Sequence, residues 1–196
     1  MLYRWCEHEG DATKGAWQAF MNIGDGKTAS SPLRAKPLVM FRANIDEYVM
    51  NRDRLLDSAV GAALDLSCGY SETSCRSLEM PGRSVWQETI DWLDRAHQKG
   101  RLTPHDVTTG TQLATIVTGG DIEAGTSMSE NDICALERKG FISLAKTKET
   151  RARIEFMLEH GRPLRNWFLV QWVGDLLLRQ KPGRLAHAGL FLAPRR

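Results

Sequence analysis

Four groups of residues in this sequence have types that do chemistry. Gly24-Asp25-Gly26-Lys27-Thr28 has the ending of a phosphate-binding loop, in which backbone amides cradle phosphates and a lysine reaches the terminal ones. That loop requires glycine where Met21 stands, with a strand before it and a helix after it. Here the upstream stretch reads helical, and Pro32 and Pro37 interrupt the downstream one. A plain loop is the reading. His105-Asp106 offers a general acid–base pair. Both residues come directly after Thr103-Pro104, so the chemistry of a helix start accounts for them. Cys68 and Cys75, with His97 and His105 beyond them, are the metal-ligand set to weigh. No CxxC, HxxxH or HExxH spacing occurs, and no metal is expected. Glu88, Asp91 and Asp94 share one helix. Paired carboxylates serve glycosidic and metal chemistry, but a solvated helix face is the reading. His8, His97, His160 and His187 have no visible Ser or Asp partner set. No catalytic, cofactor-binding or metal-binding residue is assigned.

Start and stop signals delimit the elements that must carry these residues. Residues 13–22 read as a short helix with Thr13 as its cap and Trp17, Phe20 and Met21 on one side. Pro32 fits the first turn of another short helix. Asn51 opens a helix with Leu55, Leu56, Ala59, Ala62, Ala63 and Leu66 at helical spacing, and Gly69 stops it. Residues 70–83 read as extended connector. Ser84 is the expected cap of a helix through Trp86, Ile90 and Leu93 that ends at Gly100. Thr103-Pro104-His105-Asp106 is a variant capping box, and its helix runs to Gly119-Gly120. Ser129 to Asp132 repeats that signal, placing Ile133, Leu136, Phe141 and Leu144 on one face. Thr147 with Thr150 opens a last helix, closed by Gly161 and Pro163. No strand alternation is visible. The expected fold is mainly α, an irregular bundle of five or six helices.

The chain has 196 residues, which suits one domain or slightly more. Its 26 Lys and Arg against 24 Asp and Glu give a net charge of +2, too small for bulk binding of nucleic acid. Residues 1–10 hold Arg4, Glu7, His8 and Glu9 and no apolar run, so no secretory leader is expected. Four cysteines, Cys6, Cys68, Cys75 and Cys134, then read as free thiols in a reducing cytoplasm. The longest apolar stretch, Trp167 to Leu178, is interrupted by Gln171 and Asp175 and is too short for a transmembrane span. From residue 167 onward Asp175 faces Arg179, Lys181, Arg184, Arg195 and Arg196, and Glu is absent. These shifts set a boundary near Asn166, with 167–196 a divergent apolar and basic tail. Its 167–178 segment makes a stand-alone protein-interaction module the alternative reading.

From Trp17 to Asn166 the chain resembles the C-terminal part of the bacterial multifunctional fatty-acid oxidation proteins. In that family a 3-hydroxyacyl-CoA dehydrogenase is fused to an enoyl-CoA hydratase, or crotonase, domain. The resemblance rests on MNRDRLL (50–56), GY and MPG (69–70 and 80–82), KGRLTPHDV (99–107) and LATIVTGGD (113–121). The 135–166 block, ending Gly-x-Pro-Leu-Arg-Asn, is its most specific part, and KTASSPLRAK (27–36) adds to it. The resemblance implies that 1–46 are the last helices of a crotonase-like core and that 47–166 are a helical C-terminal extension. It implies a role in fatty-acid β-oxidation and lipid metabolism, with dehydrogenase and hydratase domains of the same pathway as partners. NAD and acyl-CoA belong to the parent family. The dinucleotide fingerprint Gly-x-Gly-x-x-Gly and the crotonase oxyanion segments have no counterpart here, so the resemblance carries no catalytic residue to any position. A helical fragment without independent catalysis is what it implies.

Overall fold

A computed structural model describes residues 1–42, 45–72, 74 and 76–164. These residues are mostly helical, with eight α-helices and one two-stranded sheet. They form two compact units, Thr28–Arg76 and the remainder. The first two helices pack together, and the second packs on a helix far along the chain, which joins the chain's start to the larger unit. The boundary near Asn166 and the 167–178 segment lie outside the described residues.

In the larger unit, α1 (Leu2–Glu9) and α2 (Ala12–Gly24) make a tight hairpin. The sequence reading missed α1 altogether. Gly10 ends it in the left-handed region at φ 64°, and Asp11, not Thr13, caps α2 by accepting from the Lys14 amide at 2.7 Å. The two helices meet at Gly15, where a Cβ would stand 2.6 Å from Cys6 Sγ. On the other side of α2, Phe20 is fully buried, and Trp17 and Phe20 meet Trp92 edge-on.

Strand β1 (Ser77–Met80) pairs antiparallel with β2 (Thr126–Ser129), Met80 opposite Thr126 and Ser77 opposite Ser129. This ribbon corrects the expectation of no strands. Helix α5 (Arg83–Gln98) begins one residue before Ser84, with Gly82 as its cap residue. Gly82 lies at φ 74°, and a Cβ there would stand 2.7 Å from the Ile122 carbonyl, so only glycine fits. Helices α6 (Pro104–Thr118), α7 (Glu130–Ala145) and α8 (Lys148–His160) complete the unit. Both expected capping boxes form, at Thr103/Asp106 and at Ser129/Asp132, and Thr147 caps α8. Helix α6 is central: α2, α5 and α7 all pack on it. Met80, Leu93, Ala114 and Val117 join Phe20 in the core.

The smaller unit holds α3 (Pro32–Ala35), capped by Ser31, and a 3₁₀ turn over Lys36–Leu38. Arg42 grips Asp46 with both its Nε and Nη2, at 3.1 and 2.7 Å from Oδ1. Asn51 caps a 3₁₀ turn (Arg52–Arg54) rather than the α-helix itself, accepting from the Asp53 amide at 2.9 Å. Helix α4 (Leu55–Ser67) then runs its length without burying one side chain.

Candidate functional site

The most developed polar arrangement is built on the first turn of α6. Its capping box fixes the start: the Thr103 hydroxyl accepts from the Asp106 amide at 3.1 Å, and Asp106 Oδ2 accepts from the Thr103 amide at 2.9 Å. That places Asp106 in the interior with its second oxygen unused by the cap. Arg153 reaches over from α8 and meets Asp106 Oδ1 at 2.8 Å, and the same nitrogen donates to Thr103 Oγ1 at 3.3 Å. The Arg153 side chain is 16% exposed and that of Asp106 only 3%. One residue earlier, the His105 ring puts Nε2 2.8 Å from Thr150 Oγ1, also on α8. His105 is buried. Burial holds its pKa below the ordinary value of 6.5, and the Arg153 charge adds to that, against the opposing carboxylates of Glu149 and Asp106. The cluster is a clasp between α6 and α8.

This use of His105 and Asp106 matters for chemistry. An acid–base pair must offer its proton to a bound molecule at hydrogen-bond distance. Here the carboxylate is occupied by a guanidinium and a backbone amide, and one ring nitrogen by a hydroxyl. The helix-start reading of the two residues holds for Asp106, and Arg153 and Thr150 are what it missed. Their contribution is tertiary, and the only local trace is their spacing of three on one helix, which puts both on one side.

A groove of about 590 Å³ opens between α2, α6 and α7. Ile23, Leu113, Ile116, Phe141 and Leu144 make its walls apolar, and Gln112, Glu137 and Arg138 add polar groups. Gly140 is buried where α7 meets α6, and a Cβ there would make ordinary contacts, 3.4 Å from Gln112 Oε1 and 3.5 Å from Ile116. Phe141 and Leu144, expected on one face of α7, both line this groove. Gly140 is buried beside them, and Phe141 is 64% exposed at the groove.

The other sequence-level groups are dispersed. Gly24 ends α2, and Lys27 pairs with Asp25 at 3.4 Å beyond it, so a helix precedes this loop where a phosphate loop needs a strand. Glu88, Asp91 and Asp94 are all exposed on α5, with Gln87 donating to Asp91 at 2.9 Å. His97 Nδ1 lies 2.8 Å from the Leu102 carbonyl, fastening the turn after α5. Cys68 is exposed at the end of α4, and Cys75 lies outside the described residues. Among the described residues no three His, Cys, Asp or Glu side chains stand together as a metal site, and no helix is long and apolar enough to cross a membrane.

No family model matches the chain, and no solved structure matches it. Among curated proteins it is similar to a probable 3-hydroxyacyl-CoA dehydrogenase of Bacillus subtilis (strain 168), at 27% identity over 157 residues. The alignment covers 80% of this chain and 20% of that protein. The chain thus spans about a fifth of the length of the relative it matches. The likeness supports a relation to the 3-hydroxyacyl-CoA dehydrogenase family.

Proposed function

We propose that the chain is a cytoplasmic helical module of a fatty-acid β-oxidation protein, matching the C-terminal part of the dehydrogenase/hydratase type. It packs against catalytic domains and turns over no substrate itself. The observation that carries this reading is the likeness to a 3-hydroxyacyl-CoA dehydrogenase over most of this chain but a small share of that protein. On this reading residues 1–46 are the end of a crotonase-like core and 47–166 its helical extension. Binding of NAD and acyl-CoA falls to the neighbouring domains. Two features of the structure favour a packing role. His105 and Asp106 are committed to the clasp. The groove between α2, α6 and α7 leaves Ile23 about half exposed and Phe141 more so, an apolar surface of the kind that marks a docking site.

The test has two arms. The purified chain is assayed for NADH formation from a 3-hydroxyacyl-CoA and for hydration of a short enoyl-CoA. Neither activity is expected above a heat-killed control. The chain is also used to capture dehydrogenase and hydratase domains of the pathway, with capture lost in Phe141→Asp. Turnover by the chain alone, or failure to capture, overturns the reading.

A further inference from the structure

Helix α8 is fastened to its unit differently from the other helices. Each of α1, α2, α5, α6 and α7 buries at least one residue. Helix α8 buries none, and Ile154, Met157 and Leu158 lie exposed along it. Among the described residues α7 is the element that packs closely on it. Its reach to α6 is polar, from Thr150 to His105 and from Arg153 to Asp106 and Thr103. Its caps are its own: the Thr147 hydroxyl accepts from the Thr150 amide, and the Gly161 amide donates to the Met157 carbonyl. Only Lys146 and Thr147 separate it from α7.

We infer that α8 is a strap that lifts from α6 and α7 about the Lys146–Thr147 turn while α2, α5 and α6 stay folded, uncovering His105 and Asp106. The energetics favour opening as a unit. When Arg153 and Asp106 part together, both charges return to water, and their hydration offsets most of the attraction lost. That cost is far below the cost of stranding one of them in place. Apolar side chains drawn out of a core have no such return. Lifting α8 exposes no core side chain of its own, whereas parting α5 from α6 exposes Leu93. Once free, a helix of 13 residues is marginal in water even with its caps, so its amides open. The closed strap keeps a carboxylate and an imidazole covered at the start of α6. The open one offers both to solvent.

The inference goes beyond the packing role proposed above and does not depend on it. Native-state hydrogen exchange of the full chain, read by mass spectrometry, tests the opening. Amides of α8 should exchange at least about tenfold faster than those in the middle of α5 and α6, and their rate should rise less steeply with urea. Carbethoxylation by diethyl pyrocarbonate tests the uncovering, since it marks an imidazole that solvent reaches. His105 should react more slowly than the exposed His8. Val117→Ala weakens the core at a buried position away from α8. It should speed exchange in α5 and α6 by about tenfold or more, and leave both α8 exchange and His105 labelling unchanged, because the strap opens with the core intact. Exchange of α8 in step with α5 and α6 in the parent chain overturns the inference. So does a Val117→Ala chain in which α8 exchange or His105 labelling accelerates with the core, and so does a parent His105 that reacts as fast as His8.

Discussion

Arg153→Met removes the cation of the α6–α8 clasp while keeping most of the side-chain volume. It leaves the Asp106 carboxylate, 3% exposed, facing an apolar chain. Breaking a buried ion pair from one side costs about 3–5 kcal/mol when the stranded charge has no other support. Asp106 keeps the Thr103 amide at 2.9 Å and a place at the positive end of α6. Thr103 loses its 3.3 Å bond from Arg153, a long one. A loss of about 2–3 kcal/mol is therefore expected. For a chain of this size that is a fall in Tm of roughly 4–12 °C. Urea unfolding followed by circular dichroism measures it directly. Asp106→Asn alone also destabilises, because it weakens the cap. In the double variant the two losses should fall short of their sum by at least about 1 kcal/mol, the coupling of neighbours in one network. An Arg153→Met chain within about 0.5 kcal/mol of its parent would place the pair among ordinary surface contacts and refute the clasp.

Acid should loosen the same clasp. His105 has its folded pKa below 6.5, so the unfolded chain takes up the proton first as pH falls. Stability contributed by the neutral ring is intact above pH 6.5 and is lost as pH falls from there toward the folded pKa. Urea midpoints at neutral and mildly acid pH should differ, and His105→Gln should flatten that part of the profile; an unchanged slope counts against it. Gly110→Ala tests the α5–α6 contact, because the added Cβ would stand 2.6 Å from Leu93 Cδ2 and 3.0 Å from Cδ1. Leu93 is fully buried and has little room to yield, so a loss of about 1–3 kcal/mol is expected despite the better helix former. A stabilised variant would show that Leu93 repacks freely.

The parts of this structure legible in the sequence are those whose chemistry closes within one helical turn. Thr103 with Asp106, and Ser129 with Asp132, satisfy each other across three residues, so their boxes are visible without any tertiary information. Helix α1 was missed because Leu2, Trp5 and Cys6 fill little more than one turn among Arg4, Glu7, His8 and Glu9. Their burial comes from α2, not from their own pattern. The strands have four residues each, too few for alternation to register. They exist because Ser77–Met80 meets a segment far along the chain. At the clasp, Asp106 was legible as a cap, but its ion pair with Arg153 spans the chain from α6 to α8.

The groove failed to register for a different reason. Phe141 and Gly140 are adjacent, and hydrophobicity alone assigns the larger one to the interior. The packing of α7 on α6 buries Gly140 and leaves Phe141 at the edge of the groove. Two demands then meet on α6. Its first turn is locked by a buried charge pair, while its middle, from Thr109 to Ile116, borders an open apolar groove. If the chain has the packing role proposed above, polar contacts at the first turn of α6 would keep the module's shape while the groove along its middle, open among the described residues, received the partner.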